Sequence, residues 1–72
     1  MMNTVTVYAL KDPKTKKYVA TGTDGVFLTS DLSEAELFYI YGFALHANEY
    51  LTYGEAKIVT VKITYEEEEG SR

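Results

Sequence analysis

The chain has 72 residues, no cysteine, a net charge of −4 and a hydrophobic content of 46%. This length gives one domain near the lower size limit for a self-sufficient core, and the apolar content is that of a folding sequence rather than a disordered one. The lack of cysteine excludes a disulfide framework and every thiolate metal site.

The sequence carries no targeting or membrane signal that we recognise. The first ten residues lack the basic start and the long apolar run of a signal peptide. The longest apolar run, residues 37–45, falls far short of the roughly 20 residues that span a bilayer. We therefore expect a cytoplasmic protein with no membrane partner.

The negative charge is concentrated in the second part of the chain. Residues 1–30 carry four lysines against two aspartates, whereas residues 31–72 carry nine acidic residues against three basic ones. Four of those acids form the run Glu66 to Glu69, which repels itself and is typical of a solvated tail. We predict a single domain over residues 1–65 and an acidic, disordered tail over residues 66–72.

Three short strands are predicted in the first part of the chain. Residues 4–10, "TVTVYAL", alternate with a period of two and are rich in β-branched residues. A polar connection with Pro13 at a turn position leads to a second strand over residues 18–21. The Asp-Gly pair at residues 24–25 is a strong turn signal and leads to a third strand over residues 26–29.

A helical segment is predicted next. Asp31 is placed to cap the first backbone N–H groups, and Glu34 three residues later would complete a capping box. We predict a helix from about Leu32 to Tyr53, bent or broken near residues 39–42, where strand-forming residues and a glycine interrupt the pattern. A strand over residues 37–41 is the alternative.

The last element is the clearest strand of the sequence. In "AKIVTVKITY" the side chains of Val59, Val61, Ile63 and Tyr65 share one face. The order β-β-β-α-β predicts an α+β fold, a small and mainly antiparallel sheet with one bent or broken helical segment packed on one face. The helical crossover would also allow the last strand to lie parallel to the first.

The motifs "YALKDPKTKKYVA", "FLTSDLSEAELF" and "KIVTVKIT" resemble a pattern found in small accessory proteins of phages and prophages of Gram-positive bacteria. The resemblance covers most of the chain outside residues 39–53 and the tail, and its motifs are short and mostly structural. Two departures are Lys16, where a turn glycine is usual, and the aromatic stretch, where that pattern turns polar and basic. The resemblance implies a fold and an origin, and an accessory protein that modulates a host or defence protein.

The sequence offers little for catalysis, so we predict no enzyme, no catalytic residues, no metal and no cofactor. Ser30 and Ser33 belong to the helix start, where capping explains them. His46 is the only histidine, and zinc needs three or four convergent His, Cys, Asp or Glu ligands.

The segment 37–53 is predicted to be a protein-binding surface. Apolar side chains surround the axis between residues 37 and 45, whereas a helix in a two-layer domain buries about one face. We expect Phe38, Tyr41 and Leu45 to face the sheet. The predicted partner-binding residues are Leu37, Ile40, Tyr41, Phe43 and Tyr50, and the partner is another protein or a second copy in a homodimer. The alternative is that a break at Gly42 lets both flanks turn inward.

Two further hypotheses place function in charged segments. In the first, Glu66 to Glu69, with Glu55 and the helix-start acids, imitate nucleic acid and inhibit a DNA-binding enzyme. In the second, the hairpin Lys11–Lys17 binds nucleic acid weakly, with Tyr8 and Tyr18 as stacking partners. The acidic tail and the charge balance of the chain do not favour nucleic acid as a partner.

Overall fold

The computed structural model describes residues 2–66, which form five strands, one α-helix and one turn of 3-10 helix. The elements are β1 (Met2–Lys11), β2 (Tyr18–Gly22), β3 (Gly25–Thr29), the 3-10 turn (Leu32–Glu34), β4 (Leu37–Phe38), α1 (Tyr41–Thr52) and β5 (Lys57–Glu66). Every strand pair is antiparallel, which confirms the predicted α+β class and its antiparallel sheet. The predicted tail over residues 66–72 lies outside the described residues except for Glu66, which ends β5.

The central strand of the sheet is β1. Along one edge it pairs with β5 over all ten residues, from Met2 opposite Glu66 to Lys11 opposite Lys57. Along the other edge it pairs with β4 at Tyr8 and Ala9, and with β2 at Lys11, where the hairpin to β3 begins. The β1–β5 ribbon gives the molecule an elongated form of 48 × 24 × 19 Å.

The direction of β5 corrects one expectation. β5 runs antiparallel to β1, not parallel to it. The helical crossover instead joins β4 to β5, and these two strands are parallel to each other because each is antiparallel to β1, which lies between them. This is a split β-α-β unit, so the tendency of crossovers to join parallel strands holds for a different pair of strands.

The predicted helix from Leu32 to Tyr53 is wrong in its first half. The chain makes a single 3-10 turn, returns to extended backbone at Ala35, pairs with β1 over Leu37–Phe38, and enters α1 only at Tyr41. The alternative strand over residues 37–41 is therefore found for its first two residues. The free edge of β1 supplies the hydrogen bonds that favour the extended form.

The helix-start motif caps the 3-10 turn, but the capping box does not form. One carboxylate oxygen of Asp31 accepts from the backbone N–H of Ser33 at 3.0 Å and from its hydroxyl at 2.7 Å. Glu34 does not reach back to Asp31. Its carboxylate accepts from the Thr29 hydroxyl at 2.8 Å, and that hydroxyl oxygen accepts the backbone N–H of Asp31 at 3.0 Å. The Thr29 hydroxyl thus bridges the Glu34 carboxylate and the Asp31 N–H, which a capping box would join directly.

The core lies between α1 and one face of the sheet. Leu10, Val19 and Ala44 are buried at its centre. The residues packed around them are Tyr8, Phe38, Ala47, Leu51, Ala56 and Ile58. The helix contributes mainly small side chains, and Leu45, which was expected to face the sheet, is half exposed. Small residues let the helix approach the sheet closely, which explains why the alanines rather than the larger side chains point inward.

Candidate functional site

The chain exposes an unusual number of large apolar side chains around α1. They are Tyr39, Ile40, Tyr41, Phe43, Leu45, Tyr50 and Tyr53. Tyr50 is 80% exposed, Phe43 64% and Ile40 55%. The alternative in which both flanks of Gly42 turn inward does not hold for these side chains. Exposed apolar patches are uncommon in proteins that act alone and often mark contact sites.

The rotation of α1 about its own axis, which sets the residues that face the sheet, explains this exposure. The inward positions are held by Ala44, Ala47, Asn48 and Leu51, which recur every three or four residues. That spacing is one face of a helix, so the positions between them must point elsewhere. The larger side chains of the segment therefore occupy the outer surface.

Three of the outward residues form a continuous row, which we call the helix strip: Phe43, His46 and Tyr50. Their spacing of i, i+3 and i+7 places them one above another on the helix. The rings of His46 and Tyr50 are stacked, with centroids 5.7 Å apart and planes 22° from parallel. From the sequence, His46 was weighed as a zinc ligand and its place in this row was missed, although the spacing alone indicates it.

The five predicted partner-binding residues do not share one surface. Phe43 and Tyr50 belong to the helix strip, whereas Tyr41 lies about 160–200° around the helix axis from them. Tyr41 packs edge-on against Tyr8, with ring centroids 5.4 Å apart, and so is partly anchored to the sheet. Ile40 precedes the helix as its N-cap residue and is exposed beside Tyr41.

The fifth residue, Leu37, lies on the other side of the sheet. It is directly opposite Ala9 in the β1–β4 register and therefore shares the face of Ala9. Leu10, which contacts the core under α1, points to the opposite face. Leu37 is thus separated from the helix strip by the whole sheet. It lines an apolar pocket of about 270 Å³ together with Leu32, Ser33, Val61 and Ile63, which we call the β5 pocket.

The helix that carries the strip is held firmly at its C-terminal end. The buried side chain of Asn48 pairs with the backbone of Ala56: its amide nitrogen donates to the carbonyl oxygen at 2.8 Å, and its oxygen accepts the N–H at 3.2 Å. The backbone carbonyl oxygen of Asn48 also accepts from the Thr52 hydroxyl at 2.7 Å and from the Gly54 N–H at 3.0 Å. Ala56 immediately precedes β5, so these bonds fix the helix end to the start of that strand.

The end of α1 is also where the chain adopts left-handed backbone. Tyr53 has φ 57° and Gly54 has φ 80°. These two residues end the helix, and the Tyr53 N–H donates to the backbone carbonyl oxygen of Asn48. Glycine adopts this conformation without penalty, but tyrosine does so at a cost. The side chain of Tyr53 is exposed to solvent.

The two hypotheses based on charge stay predictions. Of the run Glu66 to Glu69, only Glu66 is among the described residues. In the lysine hairpin, the Lys11 ammonium lies 5.4 Å from the centre of the Tyr18 ring, while Tyr8 is packed against the core on the opposite face. The two tyrosines therefore do not form one platform on which bases would stack.

Two exposed carboxyl groups have lowered pKa values. Hydrogen bonds from the Ser33 hydroxyl and N–H lower the pKa of Asp31, and bonds from the Thr15 hydroxyl and N–H lower that of Asp12, with Lys14 adding a smaller electrostatic effect. In both cases the bonds favour the ionised form.

These two carboxyl groups give a matched titration experiment. We expect the NMR titration midpoints of Asp31 and Asp12 to lie below the ordinary aspartate value. Because the folded pKa is the lower one, the stabilisation is present above the ordinary value and is lost as the pH falls through the folded pKa. Ser33→Ala should raise the midpoint of Asp31 alone, and Thr15→Ala that of Asp12 alone. A midpoint that does not respond to its own variant would contradict the assigned cause.

Within residues 2–66, no group of three or more His, Asp or Glu side chains is arranged to hold a metal ion. The same part of the chain contains no helix with the length and apolar character needed to cross a membrane.

Fold and surface together define a small α+β domain with an aromatic row on the outside of its helix. No protein-family model matches the chain, and neither a curated protein nor a solved structure does.

Proposed function

We propose that the chain is a non-enzymatic protein-binding module that inserts the helix strip into an apolar groove on another protein. The observation that carries the proposal is the exposure of Phe43 and Tyr50 on a helix whose end is fixed by Asn48. Helices of this kind bind grooves through anchors at i, i+3 or i+4, and i+7, which is the spacing of the strip.

The energetic argument starts from the cost of leaving these side chains in water. Full burial of a large apolar side chain contributes about 1.5–3 kcal/mol, and more than half of that area remains exposed for Phe43 and Tyr50. Aromatic anchors that fill pockets tend to carry most of the binding energy of an interface. The fixed helix end adds to this, because a pre-organised surface loses less conformational entropy on binding.

The charge pattern indicates what surrounds the partner's groove. No lysine or arginine occurs between residues 18 and 56, while Glu49 lies on the exposed part of α1 and Glu55 follows it. The helix and the segments next to it in the sequence are therefore neutral to acidic. A partner groove with a basic rim would be complementary to it and would be approached faster at low salt.

The resemblance to small phage and prophage accessory proteins supports a host or defence protein as the partner, and we propose that the chain modulates such a protein. Binding then modulates that protein, with no chemistry performed by the chain itself. Phe43 and Tyr50 are the proposed anchors, with His46 between them. Tyr41 packs on Tyr8 on the opposite side of the helix, so Tyr41, its neighbour Ile40 and Leu37 lie outside the contact.

The test compares three forms of the chain as baits in extracts of cells from the native source. These are the wild type, the double variant Phe43→Ser with Tyr50→Ser, and Phe27→Ser, which removes an exposed aromatic side chain from β3 as a matched control. We expect one partner to be retained by the wild type and by Phe27→Ser but not by the double variant. With the purified partner, calorimetry should show an affinity loss of at least roughly 30-fold, since each anchor is expected to contribute more than about 1 kcal/mol. Equal retention by all three forms, or none by the wild type, would contradict the proposal.

A further inference from the structure

The outer edge of β5 is an unpaired strand edge. β5 has ten residues, and its inner edge pairs with β1 throughout in a continuous register without a bulge. Among residues 2–66, no strand pairs with its outer edge. An unpaired edge presents a row of N–H and C=O groups that can pair with another strand.

A hydrogen bond in the β1–β2 hairpin indicates which residues of β5 direct their backbone N–H and C=O groups at the free edge. The N–H of Asp12 donates to the Lys17 carbonyl at 2.8 Å, so the even-numbered residues of β1 direct their backbone groups away from β5. The odd-numbered residues of β1 then bond to the odd-numbered residues of β5, such as Val7 to Val61. The even-numbered residues Ile58, Thr60, Lys62 and Thr64 are left with their backbone groups directed at the free edge.

β5 has few of the features by which proteins prevent edge pairing. Proline, bulges and charged side chains, especially lysine, usually serve that purpose. β5 contains neither proline nor glycine, and between Lys57 and Glu66 its only charge is Lys62. On the face of Val61, the residues from Val59 to Tyr65 are all apolar or aromatic.

We propose that two copies of the chain pair through their β5 edges, antiparallel, about a two-fold axis at Val61. Outward-pointing residues must meet outward-pointing residues, so even-numbered residues pair with even-numbered residues of the second copy. With the axis at Val61, Thr60 lies opposite Lys62 and Ile58 opposite Thr64. The paired region then covers residues 57–65 of each copy.

The neighbouring registers are less favourable. An axis at Lys62 would place the two Lys62 side chains directly opposite each other, and like charges in that position are destabilising. An axis at Thr60 would shorten the paired region to residues 57–63 and place Lys57 opposite Ile63. The axis at Val61 avoids both faults, so the edge of β5 is most complementary to itself in this register.

The β5 pocket gives a second reason for a copy of this chain as the occupant. Val61 and Ile63 line that pocket on the face of the sheet away from α1. In the proposed register Val61 meets Val61 and Ile63 meets Val59, so the apolar face continues from one copy into the other. The row formed by Val59, Val61 and Ile63 then lies beside the same row of the second copy. Each row loses exposed apolar area that it keeps in a single copy.

The size of the contact predicts a weak dimer. A ten-residue strand is about 33 Å long and a sheet about 10 Å thick, which gives roughly 330 Å² for each copy. The total of roughly 660 Å² is about half of the lower end for stable interfaces. We therefore expect association that depends on concentration. Because the contact is isologous, it closes at two copies and does not propagate into a fibre.

The test uses the lack of native cysteine. In the proposed register the two Val61 residues form a non-hydrogen-bonded pair with Cα atoms about 4.5 Å apart, within the range of a disulfide. The Thr64 residues would be offset by six positions, about 20 Å. In a glutathione redox buffer we expect Val61→Cys to form a covalent dimer and the matched variant Thr64→Cys to remain monomeric. Equal cross-linking of both variants, or none with Val61→Cys, would overturn the proposal.

Sedimentation of the uncross-linked chain gives an independent measurement. Wild type should pass from monomer to dimer with increasing concentration, and Thr60→Pro should remain monomeric. That proline removes an N–H that points outward and leaves the β1 ladder intact, which a circular dichroism spectrum like that of wild type would verify. If Thr60→Pro does not fold, Ile63→Lys places a charge on the exposed apolar face with the same expected result. Wild type that stays monomeric up to about 1 mM, or that grows beyond a dimer, would refute the inference.

The dimer and the helix strip are separate surfaces. The double variant of Phe43 and Tyr50 should dimerise as wild type does, because those side chains lie on α1 and not on the edge of β5. If that variant were monomeric, self-association would run through the strip instead. The outcome of one test therefore does not decide the other.

Discussion

Replacing Leu10 by alanine is expected to lower the free energy of unfolding by about 2–5 kcal/mol. Leu10 is completely buried, with Val19 and Ala44 in the centre of the core between the sheet and α1. The lost burial of the removed methyl groups and the cavity left between helix and sheet both contribute to this cost. A domain of this length has a total stability of roughly 4–11 kcal/mol, so the loss would be a large part of the whole. Urea denaturation followed by circular dichroism measures it.

Phe43→Ala is the matched control. This side chain is larger than that of Leu10, but it is mostly exposed, so its removal should change the free energy of unfolding by no more than about 0.5 kcal/mol. The contrast bears directly on function, because a large aromatic side chain that does not support the fold is available for a partner. A loss for Phe43→Ala close to that for Leu10→Ala would mean that the helix strip is packed in solution and would remove the basis of the proposed function.

The strands were predictable because their signal is local. Alternation in β1 and β5 is a property of the sequence itself, and it gave both elements with their correct faces. The state of Leu37 and Phe38 was not predictable in the same way. Asp31 starts a helical turn as expected, but from Leu37 onward, three residues after that turn ends, the free edge of β1 offers hydrogen bonds to an extended chain, and no local pattern contains that information.

The strand at Leu37–Phe38, where a helix was predicted, changed which residues share the candidate surface. Alternate residues of a strand point to opposite faces, so Leu37 and Phe38 were placed on different sides of the sheet. In the helix, Tyr41 and Leu45 were expected to face the sheet, but both are about half exposed, and the smaller Ala44 and Ala47 pack in the core. The sequence predicted that too many apolar side chains surround this segment for one face to bury. Which of them stay outside depended on packing distance, which the sequence does not display.

The position of β5 shows the same dependence on tertiary structure. The sequence predicted the strand, but its neighbours follow from the path of the chain through β4 and α1. Only the observed register reveals that one edge is free and that its outward residues are even-numbered. The two surfaces proposed for binding thus have different origins. The helix strip results from side-chain volume in α1, and the β5 edge results from topology.

Asn48→Leu is expected to destabilise the chain by about 1–3 kcal/mol, although it replaces a polar side chain with an apolar one of similar size. Asn48 is buried and satisfies both backbone groups of Ala56, so its loss leaves the Ala56 carbonyl without a donor. The Ala56 N–H still donates to the Thr52 hydroxyl oxygen at 3.2 Å. The cost should therefore be close to that of one unsatisfied group, and thermal and urea unfolding would measure it.

Asn48→Asp separates the hydrogen bonds from the packing. An ionised carboxylate at this position accepts from Ala56 but cannot donate to its carbonyl, whereas the protonated form can do both. Burial and the facing carbonyl disfavour the charged form, so this variant should gain stability as the pH falls from neutral towards the acid range, opposite to the trend set by Asp31. Asn48→Leu should show no such gain relative to wild type. If the two variants had the same pH dependence, the bonds to Ala56 would not be what holds the end of α1, and the helix strip would lack the fixed support on which its binding depends.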